Sequence, residues 1–301
     1  MLRRLVERRF VSREWKRPED ILENFLAWAG TQGVDRKALT AAAFGIAGPI
    51  VGNEVRATNL PWLVRGDHLA RQLGLPSVFL LNDLEAAAHG LALLGAGELV
   101  TLNAGACAPT ANQALIAAGT GLGEAILFWD GERRAVSATE GGHADFAPRT
   151  DVEIELLRYL KQREEPVDVE RVVSGRGFRT LHEFLDPKMR HGSFDDPAAD
   201  PAPQITGNAQ QGTCPICVQA VDLWVSLFGA EAGNLALKSL ARGGVYVAGG
   251  IAVKILDKLK DGTFLRAFCH KATFRGLLEQ IPVWVVLDEN LPTRGAAARA
   301  C

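Results

Sequence analysis

Ala118-Gly119-Thr120-Gly121-Leu122-Gly123 opens, and Glu140-Gly141-Gly142-His143-Ala144-Asp145-Phe146-Ala147-Pro148 closes, the stretch on whose reading the fold turns. Leu115-Ile116-Ala117-Ala118 is an apolar run of strand length, so the glycines after it lie at a strand's end. Lacking Cβ atoms, they let backbone N–H groups approach an anion closely, as a phosphate-receiving turn requires. Glu124 to Trp129 reads as a further strand, Asp130-Gly131 as a hairpin turn, and Arg134 to Ser137 as the returning strand. The second motif sets a carboxylate and an imidazole three residues apart across two glycines, in a tight turn. Phosphate at one place and hydroxyl-reading groups at another point to phosphoryl transfer to a polyol. Gly-Thr-Gly-Leu-Gly alone is a weak signal, since glycine-rich hairpins are common. It is not a Walker A loop, because no Gly-Lys-Ser/Thr follows, nor a Rossmann fingerprint, because a strand rather than a helix follows.

Upstream, Val11 to Trp15 reads as the end of a short strand. Arg17-Pro18-Glu19-Asp20 suits the first turn of a helix that ends near Gly30. Ala41 to Ile46 is an apolar run ending in Gly45-Ile46-Ala47-Gly48-Pro49, a sharp turn at a strand's carboxyl end. Val51 to Thr58 reads as a hairpin strand, Pro61 to Leu73 as a helix and Ser77 to Leu81 as a buried strand. That strand runs into Asn82-Asp83, where open α/β sheets bind ligands. Helix formers follow, so on local grounds alone Asp83 reads first as a helix N-cap, and His89 reads as structural. Glu98 to Gln113 reads as a peripheral strand and loop.

Downstream, Asp151 to Arg163 reads as a helix. Within Val169-Glu170-Arg171-Val172-Val173-Ser174-Gly175, Glu170 taken alone is a solvated charge. Phe184 to Gly212, rich in Pro, Asp, Gly and Ala, reads as an exposed insertion or flexible loop. Ala220 to Leu240 reads as a long helix, Gly243 to Ile251 as a strand between glycine pairs, and Ile255 to Phe268 as a helix. Ile281 to Leu287 reads as a last buried strand and Thr293 to Cys301 as a small terminal helix.

With 301 residues, 48% of them hydrophobic and 23% charged, the chain can build a sizeable core. A net charge of −2 gives no reason to expect nucleic acid or an anionic membrane as partner, and no run of eighteen apolar residues marks a membrane span. The Arg-rich start lacks a secretory core, and Glu7 and Glu14 argue against an organellar presequence, so it reads as an exposed strand or arm. The cysteines, Cys107, Cys214, Cys217, Cys269 and Cys301, are odd in number, which fits a reducing cytoplasm better than a disulfide framework. Cys214-Pro215-Ile216-Cys217 is either redox-active, half of a zinc site, or two small residues near a helix start. No second Cys or His pair stands at zinc-finger spacing, which favours the last.

The landmarks Leu81-Asn82-Asp83, Gly119 to Gly123, Glu140 to Pro148, Glu170 to Gly175 and Gly243 to Ile251, in this order, make the chain resemble the bacterial glucokinase family of the hexokinase/actin-like superfamily. The motifs span nearly the whole chain. Glu-Gly-Gly-His-x-Asp-Phe-Ala-Pro with Glu-Arg-x-x-Ser-Gly is specific, and the glycine pairs alone are not. Related ROK sugar kinases and repressors carry a cysteine-rich zinc motif after the Glu-Gly-Gly-His-like turn. None follows His143, which favours the glucokinase branch. The resemblance implies an α/β, actin-like ATPase (ribonuclease H-like) two-domain sugar kinase fold. The smaller domain would hold 1–93 plus 285–301, and the larger 94–284.

By the same resemblance, Asp83 is the general base acting on the sugar hydroxymethyl group, and Asn82, Glu140, His143 and Glu170 hold ring hydroxyls. The loop at Gly119, Thr120 and Gly121 contacts ATP phosphates, Gly249 and Gly250 lie against the adenosine, and Mg2+ bridges the phosphates. No protein residue is assigned to a metal. Domain closure over the sugar would exclude water. The implied function is ATP-dependent phosphorylation of glucose at its 6-hydroxyl, in the cytoplasm, with a homodimer possible by resemblance. The resemblance departs at the N-terminus, where family members carry a strand and an Asp-x-Gly-Gly-Thr-Asn-like phosphate loop that these residues lack. If that reflects a real truncation, the expectation is weak or no kinase activity with sugar binding retained, a sugar-binding or regulatory relative. A DNA-binding repressor is a third reading, opposed by the absence of a helix-turn-helix segment and by the near-zero charge.

Overall fold

The structure, a computed structural model, describes residues 3–58, 60–188 and 200–300. The chain divides into two units, Met1–Leu94 with Asn290–Cys301, and Gly95–Glu289. In the first, α1 (Pro18–Thr31) starts at its proline and two acids as its sequence dictates. The apolar runs form β1 (Ala42–Ile46) and, after the hairpin β2 (Glu54–Arg56) and β3 (Leu63–Arg65) and the helix α2 (Gly66–Leu73), β4 (Val78–Asn82). β1 and β4 pair in parallel, from Ala42 opposite Val78 to Ile46 opposite Asn82. α3 (Asp83–Gly90) leaves the end of β4 directly. Its small face, Ala86 and Gly90, meets the C-terminal helix Leu291–Ala300 at Leu291 and Gly295 so closely that a Cβ on Gly295 would overlap the Ala86 carbonyl oxygen. This contact holds the helix that begins with Asp83.

The expected strand near Val11 is absent, and 12–14 form a 3-10 turn instead. A strand needs a paired edge, and β1 pairs only with β4 among the described residues. The expected helix from Pro61 begins only at Gly66, because Leu63–Arg65 pairs with Glu54–Arg56 and buries Val64 against Val55.

The second unit is built on a six-stranded sheet. Its strands are β5 (Leu99–Asn103), β6 (Gln113–Ala118), β7 (Leu122–Trp129), β8 (Arg134–Thr139), β9 (Val245–Ala248) and β10 (Val283–Val286), in the order β5-β10-β9-β6-β7-β8. β6, β9 and β10 run parallel, and β5, β7 and β8 pair antiparallel to their neighbours. The final strand therefore belongs to this unit, not with the first as expected, because both of its edges are paired inside this sheet.

The helices of this unit are α4 (Asp151–Lys161), α5 (Gly175–Leu185), α6 (Ala202–Gln210), α7 (Pro215–Ser239), α8 (Gly250–Lys254), α9 (Leu256–Lys260), α10 (Thr263–Phe268) and α11 (Arg275–Gln280). α7 is long and apolar enough to cross a membrane by length and composition, and 67% of its most apolar window is buried within the protein. Trp224 of α7 stacks on Phe178 of α5 with ring centroids 4.7 Å apart, and its indole N–H donates to the Ser174 carbonyl at 3.0 Å. Removing such a ring costs about 3–5 kcal/mol, so α7 anchors the start of α5.

The stretch expected as a loop over 184–212 carries α6, whose Ala202 and Ile205 are buried; residues 189–199 of it lie outside the described residues, as does Cys301, the last residue of the expected terminal helix. The helix expected over Ile255–Phe268 is two helices, broken at Gly262 with φ 91°.

Candidate active site

In the first unit, β4 delivers Asn82 and Asp83 to the start of α3. Asn82, not Asp83, is the N-cap. Its Oδ1 accepts from Leu84 N–H at 2.9 Å and Glu85 N–H at 3.4 Å, while the Glu85 carboxylate accepts from Asn82 N–H at 3.3 Å. This capping box frees Asp83 from the cap role and sets it in the first helical turn. Asn82 Nδ2 donates to the Gly48 carbonyl at 3.3 Å, so the same amide ties α3 to the turn after β1. Burial holds the Asp83 carboxyl above the usual carboxylate range, against the lowering effect of Leu84 N–H, which donates to Oδ1 at 2.9 Å.

In the second unit the parallel strands β6 and β9 end side by side, with Ala117 opposite Ala248. Each runs into a glycine turn, Gly119–Gly123 and Gly249-Gly250, at the carboxyl end of a parallel strand. Gly249 has φ 94°, and a Cβ there would overlap the Ala118 carbonyl oxygen, so the two turns touch only because this residue is glycine. Gly119 N–H donates to the Gly121 carbonyl at 2.8 Å, and Gly175 N–H at the start of α5 donates to the Gly119 carbonyl at 2.8 Å. Thr120 is exposed at the tip.

Glu170 is not a solvated charge: its side chain is 17% exposed. One carboxylate oxygen accepts from Leu122 N–H at 2.9 Å, and the other from the Arg176 guanidinium at 3.3 Å. Its backbone N–H donates to the Gly142 carbonyl at 2.9 Å. Val169 N–H to the Ala144 carbonyl and Phe146 N–H to the Val167 carbonyl continue the same seam. Glu170 therefore joins the Gly119–Gly123 turn to the Glu140–His143 turn.

His143 Nδ1 lies 2.8 Å from Asp168 Oδ2. That hydrogen bond holds the imidazole pKa above its ordinary value, partial burial opposes it, and Glu170 and Glu140 add to it. With Nδ1–H donating to Asp168, Nε2 is the atom left to meet a ligand. Glu140 is exposed, and His143 N–H donates to its carbonyl at 3.0 Å.

Behind this turn stands Glu124, 2% exposed, so close that a Cβ on Gly141 would overlap its carboxylate. Burial and then the Glu231 carboxylate push the Glu124 carboxyl up to about 7, with Lys238 opposing. Sequence reading passed over Asp168, Arg176 and Glu124. The first two sit within or beside the Glu170–Gly175 motif, so that an acid or a base there was the available signal. Glu124 reads locally as one residue of a strand, and its burial beside Gly141 and Glu231 of α7 comes only from the fold.

The structure also gathers a group that spacing left incomplete. His182 of α5 joins Cys214 and Cys217 at the start of α7, with their ligand atoms all within 4.8 Å of one another and all three residues buried. Burial and the adjoining Cys214 sulfur push the Cys217 thiol up to about 12.

The family profile described as Glucokinase matches residues 3–301. A glucokinase of Nostoc sp. is 42% identical over 274 residues, which cover 85% of this chain and 80% of the relative. The solved glucokinase from an Antarctic psychrotroph superposes with a TM-score of 0.82 at 28% identity, over 97% of this chain and 88% of that one. A ROK family glucokinase from Streptomyces griseus, solved in complex with glucose and AMPPNP, has the same fold at a TM-score of 0.63 and 23% identity, over 95% of this chain and 88% of that one. The α/β fold is that of the actin-like ATPase sugar kinases, as the motifs implied. With a profile matched over residues 3–301 and a relative 42% identical over 85% of the chain, the chain belongs to the glucokinase family.

Proposed function

We propose that the chain is an ATP-dependent hexose kinase that transfers the terminal phosphoryl group of ATP to the 6-hydroxyl of D-glucose, giving glucose 6-phosphate and ADP. The observation that carries this reading is Glu170, whose side chain binds the glycine turn at Leu122 while its backbone binds the Glu140–His143 turn. A group that reads hydroxyls and a turn that receives phosphate are thereby held in one rigid seam. Enzymes of this class work mainly by positioning and electrostatic stabilisation, so such a seam is what the chemistry needs.

In this reading Asp83 takes the 6-hydroxyl proton. Leu84 N–H fixes one carboxylate oxygen, and the second accepts the proton. Its raised pKa makes it a stronger base than an exposed aspartate. Glu140, His143, Glu170 and the second amide hydrogen of Asn82 hold ring hydroxyls, since carboxylates accept while imidazole and amide both suit a polyol. The Gly119–Gly121 backbone receives ATP phosphate, and Gly249-Gly250 lies against adenosine. At Gly119 nothing stands within 4 Å of where a Cβ would lie, which leaves its backbone open to a bulky anion. Mg2+ bound with ATP would neutralise phosphate charge, and no ligand on this chain is assigned to it. We place the reaction in the cytoplasm, which the odd number of cysteines fits better than a disulfide framework.

The test is glucose-dependent ADP release from ATP and Mg2+ by the 301-residue chain, with Asp83→Asn alongside. Loss of the base should lower kcat about 10²–10⁴-fold, with glucose binding retained. Wild-type activity should fall on acidification through the Asp83 pKa, earlier than for an ordinary carboxylate. Full turnover in Asp83→Asn would overturn the assignment of the base. Glucose binding without ADP release by the wild type would make the chain a sugar-binding relative instead.

A further inference from the structure

We infer that His182, Cys214 and Cys217 form a binding site for a thiophilic d10 cation, with zinc the ion of first choice. The site lies inside the second unit and is separate from the phosphate and hydroxyl-reading turns. Cys-x-x-C supplies two ligands from one helix start, and the fold brings the third from α5. Two thiolates and an imidazole are the donor set that zinc prefers over the harder cations.

The distances suit a single ion. Zinc–sulfur and zinc–nitrogen bonds are about 2.0–2.3 Å, so two ligands of one ion can stand at most about 4.6 Å apart. The three ligand atoms lie within 4.8 Å of one another, and small rotamer adjustments bring them onto a common centre. No further His, Cys, Asp or Glu among the described residues completes the same group.

The surroundings of the sulfurs support the assignment independently. Cys217 N–H donates to Cys214 Sγ at 3.3 Å, and the Asn208 side chain of α6 hydrogen-bonds the Cys217 sulfur. Both sulfurs also stand at the start of α7, a helix of 25 residues whose dipole favours anions there. These donors fix the two sulfurs in place beside His182. The alternative use of a Cys-x-x-C at a helix start is thiol–disulfide exchange, which requires an attackable sulfur. Cys214 is 4% exposed and Cys217 and His182 are 0% exposed, so exchange with an outside thiol is blocked, while a metal captured during folding is retained.

The bound ion would pin α5 to α7. α5 starts at Gly175, whose N–H holds the Gly119 carbonyl, so the metal braces the glycine turn from behind. Binding must displace the thiol protons, and metal affinity then adds directly to stability.

The test uses the whole chain, purified without chelator or added metal, with zinc measured by mass spectrometry. The chelated chain is then titrated with Co2+ alone. The expected result is stoichiometric zinc and, with Co2+, a thiolate-to-cobalt charge-transfer band in the near ultraviolet, with a rise in melting temperature on metal addition. Cys214→Ser with Cys217→Ser should abolish the band, and His182→Gln should weaken metal binding at least about tenfold. Circular dichroism shows whether each variant is folded. The wild type decides even if the variants do not fold: a folded, reduced wild-type chain that shows no charge-transfer band overturns the site. So does a band that persists in the folded double serine variant, or recovery of the pair as a Cys214–Cys217 disulfide from protein kept under reductant. None of these readouts depends on kinase activity, so a failure here is distinct from a failure of the proposed function.

Discussion

Gly142→Ala should cost both stability and catalysis, and its size can be worked from the contacts at one carbon. A Cβ built on Gly142 stands 3.0 Å from the Leu122 carbonyl carbon and 3.1 Å from Leu122 Cβ, with the Leu122 carbonyl oxygen closer still. The obstacle is the backbone of β7, inside a paired sheet, so it cannot swing aside as a flexible side chain would. The turn must instead lift by roughly 1 Å, a displacement that in a positioned site costs on the order of 10²-fold in rate. Lifting it stretches the bond from Glu170 N–H to the Gly142 carbonyl, 2.9 Å in the native seam, and carries His143 away from Asp168. Overpacking of this kind destabilises by about 1–3 kcal/mol.

The assay pairs a thermal melt with kcat/KM for glucose. Gly207→Ala serves as the control, since that glycine lies inside α6 with nothing within 4 Å of a built Cβ. There alanine should be neutral or stabilising by up to about 1 kcal/mol. A Gly142→Ala protein with wild-type melting temperature and kcat/KM within a few-fold of wild type would refute the argument that the two motifs are locked through this close approach. A lowered melting temperature with unchanged kcat/KM would uphold the packing and refute the role of the seam in catalysis.

Glu124→Gln should stabilise the protein above neutral pH and leave it unchanged near pH 5. The Glu124 carboxyl rises from 4.5 to about 7 on folding, so the folded state binds the extra proton and stability falls as pH rises through that window. At 1.36 kcal/mol per unit this is on the order of 3 kcal/mol by pH 8, readable as a melting-temperature difference between pH 5 and pH 8; equal differences at both would sink the idea. Asp168→Asn should lower the His143 pKa in an NMR titration, because the Asp168 hydrogen bond is the first cause of its rise. The pair stabilises the fold fully below the ordinary imidazole value of about 6.5, and that contribution is lost as pH rises through the higher folded value. The His143 side chain is 56% exposed, so solvent screening keeps the effect below about 1 kcal/mol. An unmoved His143 titration would refute the assignment.

Much of the architecture was legible because its signals are local. The proline and acids at the start of α1, the apolar runs of β1, β4 and β6 and the Asp130-Gly131 hairpin all declare themselves within a few residues. Legibility failed where pairing overrode pattern. Leu63–Arg65 follows a proline and precedes a helix, and becomes a strand only because Glu54–Arg56 offers it an edge. α6 hides in a stretch rich in Pro, Ala and Gly, and is stabilised by burying Ala202 and Ile205 rather than by propensity. Asn82 took the cap that Asp83 was read for, because the cap depends on which backbone N–H groups a side chain reaches, and only coordinates show that.

The sequence by itself determined the family, the glycine turns after β6 and β9, and the residue types able to read a hydroxyl or move a proton, because motif chemistry is written in neighbouring residues. Tertiary structure alone decided which of these groups act together in each unit. It set Asp168 on His143, turned Glu170 from a solvated charge into the link between two turns, buried Glu124 behind Gly141 and carried His182 to the Cys214–Cys217 pair. The physical reason is common to all four. Burial and hydrogen-bond partners set what a side chain can reach and hold, and both come from residues far away in the chain.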